Sequence, residues 1–275
     1  MSVVAATDTV ERPAPPRRRW TGTRIAGTIL VTLWALAIAG LALYLVQSWN
    51  PELFDRYAGR YWSGLIVTLQ LVFLSIILGA ILSIPIAWGR MTKRRIPNAL
   101  AYAYVYFFRG TPLIAQTFLI YYGLGSFRPQ LETVGLWSFF RDAWNCALFA
   151  FTLNTAAYQA EILRGAVESV GRGQWEGAAS LGLSRLQTLR LVIAPQALIV
   201  ALRPYGNEII LMIKGSAIVA IITVYDLMGE TRRAYSRSFD FQTYLYAALI
   251  YLAIVETLRN IIEWVEKRVT RHLKR

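Results

Sequence analysis

The sequence predicts an all-α integral membrane protein with about six transmembrane helices. Apolar residues make up 56% of the 275-residue chain. They occur in runs of about 20, the length that spans a hydrocarbon core. These runs show no alternation of apolar and polar residues, the pattern that strands would produce. Because helices satisfy their own backbone groups in lipid, each run is predicted to be helical.

Six apolar runs are predicted to cross the membrane, one near the N-terminus and five more in succession. They cover residues 25–46, 64–88, 103–124, 144–162, 205–227 and 241–264. The first run is too long for the apolar part of a cleaved signal peptide, and it lacks an evident small-residue cleavage site. We therefore expect an uncleaved helix within residues 24–60. Residues 1–23, rich in Pro, Arg and Ala, are expected to be a disordered cytoplasmic tail.

The net charge of +13 is better explained by membrane orientation than by a nucleic-acid partner. With the N-terminus inside, Arg and Lys concentrate at the cytoplasmic helix ends and in a basic tail, residues 266–275. The outer loops hold fewer basic residues, namely Arg56, Arg60, Arg128, Arg141, Arg232, Arg233 and Arg237. Both termini are therefore predicted to be cytoplasmic. The last outer loop, which carries three of these arginines, fits the rule least well.

Residue types that carry catalysis or metal binding are scarce. The single Cys146 lies in an apolar run and cannot form an internal disulfide, and the single His272 lies in the basic tail. No P-loop, glycine-rich nucleotide fingerprint or nucleophile elbow is present. We expect no catalytic residue, no metal site and no bound cofactor, so any energy source must come from a partner.

The connection between the fourth and fifth spans has more internal structure than a turn requires. Gly171 and Gly173 interrupt the fourth helix, since two glycines make its continuation costly. A second helical piece is predicted over residues 174–181, and Gly182 suits a left-handed C-terminal cap. The pattern predicts a helix, a hinge and a further helix.

A third helical piece is predicted over residues 185–193. Ser184 and Gln187, three residues apart, form a capping box for its start. Pro195 is expected to end this piece or to kink it into the next span. So much organisation in a loop indicates a docking surface for a molecule outside the membrane.

Small residues in the second piece would let a partner approach the backbone closely. These residues are Gly177, Ala178, Ala179 and Ser180, beside the charge of Glu176. The alternative is an ordinary amphipathic helix at the membrane interface, anchored by Trp175 and Leu186. Composition alone does not choose between the two.

This loop resembles the EAA motif of binding-protein-dependent ABC importer permeases, which reads Glu-Ala-Ala, three residues, Gly, nine residues, Ile-x-Leu-Pro. The matching positions are Glu176, Ala178, Gly182 and Pro195. Gly177 replaces the first Ala, Val192 stands for Ile and Ala194 replaces Leu. The resemblance implies a docking loop for an ATPase, made by Gly173, Glu176, Gly177, Ala178, Ala179, Gly182 and Pro195.

Further segments resemble the permease subunits for histidine, for lysine, arginine and ornithine, and for opines. Residues 107–113 are similar to their FRGTP segment and residues 153–162 to their LN-x-x-AY-x-x-E-I segment. Residues 204–212 and 214–218 match two later patterns in the same order. The resemblance implies a type-1 permease domain of five helices over residues 61–265, to which the N-terminal helix is additional.

The resemblance also implies partners, a location and a mechanism. Two permease subunits would form the pathway, two ABC ATPase subunits would bind ATP and Mg, and a soluble periplasmic protein would deliver substrate. The location implied is the bacterial inner membrane. Closure of the ATPases would push on the region of Glu176 and drive alternating access.

Polar residues at membrane depth are costly and therefore default to functional hypotheses. The candidate substrate-pathway residues are Arg109, Thr111, Asn154, Glu161, Asn207, Glu208, Lys214 and Ser216. Arg109 could meet the carboxylate of an amino acid, and Glu161 or Glu208 its ammonium or guanidinium group. The alternative is that these charges lie near helix ends or hold the bundle together. The spacing of Glu208 and Lys214 makes a direct pair between them unfavourable.

The leading rival is an ion-coupled secondary amino-acid transporter that uses Glu208 or Glu161 as a proton or sodium site. An integral membrane enzyme lacks a cluster of acid, base, nucleophile or metal-binding residues. An ion channel lacks a segment that resembles a selectivity filter. The sequence therefore favours a permease subunit for a polar or basic amino acid, or for an opine-type derivative.

Overall fold

The computed structural model describes residues 21–47 and 50–271, and all regular elements in these ranges are helical. The helices are α1 Gly22–Gln47, α2 Pro51–Met91, α3 Arg95–Gly110, α4 Leu113–Phe118, α5 Arg128–Thr133, α6 Trp137–Phe140, α7 Ala143–Ser169, α8 Arg172–Ser180, α9 Arg185–Gln187, α10 Ala194–Ser216, α11 Leu227–Ser238 and α12 Gln242–Val269. Within these ranges, π-helical segments extend α4 (Leu119–Gly123) and join α9 to α10 (Thr188–Ile193), and a 3₁₀ segment (Ala217–Ile222) follows α10. The predicted all-α class is confirmed.

Four helical stretches in the described residues are long and apolar enough to cross a membrane. They are Gly22–Gln47, Pro51–Met91, Arg185–Ile222 and Gln242–Val269. The other two predicted spans correspond to the α3–α4 pair and to α7. Helix α7 has 27 residues, which is long enough to span a membrane. It is not among the four apolar stretches, and its C-terminal half carries Glu161, Arg164 and Glu168.

The prediction of one continuous helix over residues 103–124 was wrong. Helix α3 ends at Gly110, Thr111 and Pro112 are extended, and α4 begins at Leu113. Proline disfavours helical geometry in the residue before it and lacks the N–H that would continue the ladder. The apolar composition on both sides of Thr111 concealed this break.

The fifth predicted span, residues 205–227, was also misplaced. Helix α10 begins at Ala194 and continues through Pro204 to Ser216, and the 3₁₀ segment then ends at Ile222. The chain therefore leaves the helix before Leu227, which instead begins α11. Pro195 follows directly on the π-helical segment, and the helix continues through it without a break.

The chain divides into two units, residues 1–51 and 52–275. In the first unit, α1 is apolar on all sides and has no buried residue of its own. A helix with this composition suits a lipid or protein environment rather than water. The expected disordered tail falls largely on residues 1–20, and the end of the basic tail on 272–275. Both lie outside the described residues.

The second unit is organised around α7, which packs against α3, α4 and α10. Its inward face is made of small side chains, among them Cys146, Ala147, Ala150, Ala156 and Ala160, all with 0% exposure. Small residues let helix backbones approach closely, which is the main source of helix association in lipid. Cys146 is unpaired, as the sequence required.

Candidate functional site

The loop after α7 is divided into helix, hinge and helix, as predicted. Helix α7 ends at Ser169, Val170 and Gly171 are extended, and α8 starts at Arg172. This start is two residues earlier than the sequence indicated, so Gly173 lies inside α8 rather than in the hinge. The two extended residues Val170 and Gly171 are enough to turn the chain.

The end of α8 has the predicted glycine cap. Gly182 has φ +74°, and its N–H donates to Ala179 O at 3.0 Å. The N–H of Leu183 donates to Ala178 O at 3.1 Å, which completes a Schellman motif. Two carbonyl groups at the end of α8 are thereby satisfied without a partner protein.

The capping box at Ser184 is confirmed. The Gln187 N–H donates to Ser184 Oγ at 3.4 Å, and the Ser184 N–H donates to Gln187 Oε1 at 2.9 Å. The helix then passes through a π-helical segment into α10. Of the two predicted outcomes at Pro195, the structure has a continuing helix. A π-turn relieves the clash between a proline ring and the carbonyl group four residues earlier.

Helix α8 turns one side inward and leaves the rest of its surface open. Ala178 is 4% exposed and lies on the inward side, which packs against the π-helical segment before α10. Glu176, Gly177 and Ala179 are exposed. Next to them Leu181 is 80% exposed. The open surface of α8 therefore combines a carboxylate, small residues and an exposed apolar side chain.

Glu161 on α7 is the centre of an arginine cluster that joins three helices. Its carboxylate lies 2.9 Å from Arg90 Nε on α2, 2.8 Å from Arg164 Nη2 and 3.8 Å from Arg109 Nη1 at the end of α3. The Glu161 side chain is only 13% exposed. Arg164 also pairs with Glu168, so three guanidinium groups face two carboxylates and the cluster keeps an excess positive charge.

A cavity of about 290 Å³ opens beside this cluster. Its lining is Arg90, Tyr102, Val105, Tyr106, Arg109, Gly110 and Glu161. Arg109 stacks over the ring of Tyr158, with 5.1 Å from Cζ to the ring centroid, and its side chain stays 43% exposed. The Arg109 guanidinium can therefore accept a further anionic group without leaving its place.

An amide network braces the break between α3 and α4. Gln116 Nε2 donates to Phe108 O at 2.9 Å and to Thr111 O at 3.1 Å. Asn154 Nδ2 on α7 donates to Phe108 O and to Gln116 Oε1, both at 3.0 Å. Irregular backbone at membrane depth needs such partners, because lipid offers none. Thr111 and Asn154 were predicted to line the pathway. In the structure they belong to the hydrogen-bond network that stabilises the break.

Replacing Gln116 by Leu is expected to lower the free energy of unfolding by about 2 kcal/mol, because the carbonyl oxygens of Phe108 and Thr111 lose a donor. The measurement is equilibrium unfolding in mixed detergent micelles. Gln70→Leu serves as the control, since Gln70 is exposed on apolar α2. Equal stability of the two variants would refute the bracing role of Gln116.

A second buried network surrounds Glu208 on α10. Thr155 Oγ1 donates to Glu208 Oε1 at 2.9 Å, and Gln159 Nε2 donates to Thr155 Oγ1 at 3.0 Å. Tyr205 donates its hydroxyl hydrogen to Gln159. Among the described residues Glu208 forms no ion pair, with Lys214 or any other cation. Because a buried charge is costly unless it is paired, a cation beside the Glu208 carboxylate would stabilise it.

The remaining predicted pathway residues lie apart from these networks. Asn207 and Lys214 are exposed on α10. Ser216 is fully buried, and its Oγ donates to Ile213 O at 2.7 Å within the same helix. Ser216 therefore satisfies its own hydroxyl inside the bundle.

The sequence did not single out several residues on which the site depends. Arg90, Gln116, Thr155 and Arg164 contact predicted site residues directly, and Gln159 reaches Glu208 through Thr155. Gln116 and Gln159 carried a usable signal, because each is a polar residue inside an apolar run. Arg90 looked like one basic residue in a cytoplasmic loop, and only the fold brings it to Glu161.

Comparison with known proteins agrees with this architecture. Residues 76–271 match the family described as "Binding-protein-dependent transport system inner membrane component". The chain is 41% identical over 208 residues to the nopaline transport system permease protein NocM of Agrobacterium fabrum, covering 75% of this chain and 86% of that protein. It is 36% identical over 231 residues to the histidine/lysine/arginine/ornithine transport system permease protein HisM of Escherichia coli, covering 84% and 96%.

Solved structures give the same result. A chain from the crystal structure of an amino acid ABC transporter with histidines superposes with a TM-score of 0.70 at 34% identity. The match covers 78% of this chain and 96% of that one. A chain of the inward-facing MetNI methionine ABC transporter shares the fold, with a TM-score of 0.65 at 18% identity over 78% and 99%. The chain therefore belongs to the family of binding-protein-dependent transport system inner membrane components.

Proposed function

We propose that this chain is the membrane-spanning permease subunit of an ATP-driven importer for basic or polar amino acids or opine-type derivatives. The single observation that carries the proposal is the exposed surface of α8, a short helix with a fixed C-terminal cap and no catalytic residues. The relatives are named for transport of nopaline and of histidine, lysine, arginine and ornithine, which are amino acids or their derivatives.

The surface of α8 with Leu181 is the proposed docking site for an ABC ATPase subunit. The glycine cap that ends α8 and the capping box that starts α9 together fix the turn between α8 and the helix that continues into α10. A push on α8 is therefore passed to a transmembrane helix rather than absorbed by a flexible loop. The docking contacts are assigned to Glu176, Gly177 and Ala179, with Gly173, Ala178, Gly182 and Pro195 shaping the surface that carries them.

The proposed substrate pathway uses the two polar sites on α7. The cavity beside Arg109 has excess positive charge and suits the carboxylate of an amino acid. Glu208, buried without a cation, suits an ammonium or guanidinium group, and Asn207 and Lys214 are exposed on the same helix. Thr111 and Asn154 contribute by bracing the break between α3 and α4, and Ser216 lies on the buried side of α10. Glu161 keeps Arg109 in position.

The proposed assembly contains a second permease subunit, two ATPase subunits and a soluble periplasmic binding protein. ATP and Mg would be bound by the ATPases, and no cofactor is assigned to this chain. The proposed topology places both termini in the cytoplasm of a bacterium, with the chain in the inner membrane. The excess of Arg and Lys on the side of α8 supports this orientation.

Reconstitution tests the proposal. The chain is co-expressed with the ATPase and any second permease encoded beside it, purified and placed in liposomes. Uptake of labelled arginine, histidine, octopine or nopaline is expected only with ATP and the binding protein. Uptake driven by an ion gradient in liposomes that contain this chain alone would instead support the rival secondary transporter.

Glu176→Lys is expected to reduce the amount of co-purified ATPase about tenfold or more, because the reversed charge would oppose a cation on the partner. Membrane insertion should be unchanged. The control is Glu132→Lys, an exposed charge on α5 that lies on the opposite side of the membrane in the proposed topology. ATPase recovery at the wild-type level with Glu176→Lys would contradict the docking role.

A further inference from the structure

In the proposed topology, helix α11 carries basic residues on the outer side of the membrane, where the positive-inside rule disfavours them. The stretch Arg185–Ile222 is long enough to span, so α8 before it and α11 after it lie on opposite faces. If α8 faces the ATPases, as the proposed function requires, α11 lies outside. It nevertheless carries Arg232, Arg233 and Arg237. Translocated loops are normally poor in arginine, so these residues need another explanation.

Among the described residues, two of the three arginines of α11 have no acidic residue beside them to balance. Glu230 is buried and lies 3.4 Å from Arg233 Nη1, which leaves Arg232 and Arg237 without a carboxylate within 4.0 Å in the described part of the chain. Arg232 is exposed and donates only to the backbone oxygen of Ala220, at 3.1 Å. Arg237 is exposed as well. The surface of α11 thus presents positive charge that has no internal partner.

Aromatic side chains accompany this charge. Arg233 stacks on Tyr225, with 4.8 Å from Cζ to the ring centroid, and Tyr225 is itself 54% exposed. Phe239 is 78% exposed and Phe241 is 63% exposed. Arginine and aromatic residues are the types that most often carry binding energy in protein interfaces. We use the name α11 patch for Tyr225, Arg232, Arg233, Arg237 and Phe239.

The backbone on both sides of α11 is strained. Thr223 has φ +66° and Phe239 has φ +53°, and they are the positive-φ residues other than glycine in the described chain. A β-branched or bulky residue adopts this conformation at an energetic cost, and such strain tends to collect at binding sites. At Phe239 the strained backbone holds a large apolar ring in the open.

The core of the protein holds α11 firmly in this position. The Leu227 N–H donates to Thr68 Oγ1 on α2 at 3.0 Å, and the Gly229 N–H donates to Asp226 Oδ1 at 2.8 Å. Buried Leu227 and Ala234 pack in the same cluster as Tyr57 and Tyr61 of α2. The α11 patch is therefore a fixed surface, which lowers the entropic cost of binding.

We propose that the α11 patch is the docking surface for an acidic face of the soluble substrate-binding protein. This inference rests on the proposed function and deepens it, by naming the outer contact and its charge. Carboxylates of the partner would pair with Arg232 and Arg237, and an apolar pocket of the partner would receive Phe239. Charge complementarity of this kind speeds the encounter and sets orientation.

The test measures binding of the soluble binding protein encoded beside this chain to the transporter complex in nanodiscs. Arg232→Glu with Arg237→Glu is expected to raise Kd at least tenfold, to slow association and to flatten the salt dependence of binding. The control is Arg141→Glu, an exposed arginine on the same face, which should change Kd less than threefold. ATP hydrolysis without the binding protein should stay at the wild-type rate.

Phe239→Gly separates a loss of binding from a loss of folding. Glycine adopts φ +53° without strain, so the melting temperature should be unchanged or higher while Kd rises. A wild-type Kd in either α11 variant, or an equal loss with Arg141→Glu, would overturn the proposal. So would a wild-type Kd together with loss of bound anionic lipid, which would make the patch a lipid surface. The proposed function fails separately: it would be refuted if the wild-type chain co-purified with no ATPase subunit, or if the wild-type complex showed no ATP-driven uptake.

Discussion

Replacing Glu161 by Gln is expected to lower the free energy of unfolding by about 3 kcal/mol, the lower end for breaking a buried ion pair. The substitution leaves Arg90 and Arg109 without the carboxylate that holds them, while Arg164 keeps its pair with Glu168. Arg90 is the most affected, since its side chain is 16% exposed and its Nε donates to Glu161 at 2.9 Å. The effect falls at the lower end because the side chains of the cluster, Arg109 above all, are partly exposed to solvent.

The measurement is equilibrium unfolding in mixed micelles, followed by tryptophan fluorescence. Glu266→Gln is the matched control, because its partner Arg203 is 79% exposed and their atoms lie 3.3 Å apart. An exposed pair contributes at most about 1 kcal/mol, so this variant should stay near wild type. Similar losses in the two variants would show that Glu161 is no more than a surface partner.

Gly64→Ala is expected to cost about 3 kcal/mol, at the upper end for overpacking a core. A Cβ atom at this position would lie 2.8 Å from Asp226 O and 3.0 Å from Leu227 Cα. Both atoms belong to the backbone that enters α11, and backbone cannot move aside as a side chain does. Binding of the substrate-binding protein should weaken too, because the start of α11 would shift.

Gly59→Ala in the same helix supplies the comparison, since a Cβ atom there meets nothing within 4 Å. Alanine is a better helix former than glycine by about 1 kcal/mol, so this variant should gain stability. The two substitutions are chemically identical and should act in opposite directions. A gain in both would mean that α2 and the turn at Asp226 are not in close contact.

Local signals in the sequence were sufficient for the structure of the loop between α7 and α10. The capping box at Ser184 and the left-handed cap at Gly182 each depend on residues within a few positions of one another. Such patterns are nearly independent of the rest of the fold, so both predictions were confirmed. The start of α8 was two residues off because glycine lowers helix propensity without forbidding a first turn.

The break at Thr111 and Pro112 shows where local signals failed. Hydropathy averages across a break, so residues 103–124 looked like one helix. The side chains that satisfy the backbone at the break are those of Gln116, on the next helix, and Asn154, which is 38 residues farther along the chain. A pattern read along the sequence does not contain that contact.

By itself, the sequence determined the all-α membrane class, the order of the helices and the internal structure of the loop between α7 and α10, because helix length, periodicity and caps are local properties. Only the tertiary structure decided which charges meet. Glu161 pairs with Arg90 across 71 positions, Glu208 stays without a cation, and α11 turns its arginines outward. The reason is physical: in lipid, polar side chains must find partners across helices, and helix packing alone sets those distances.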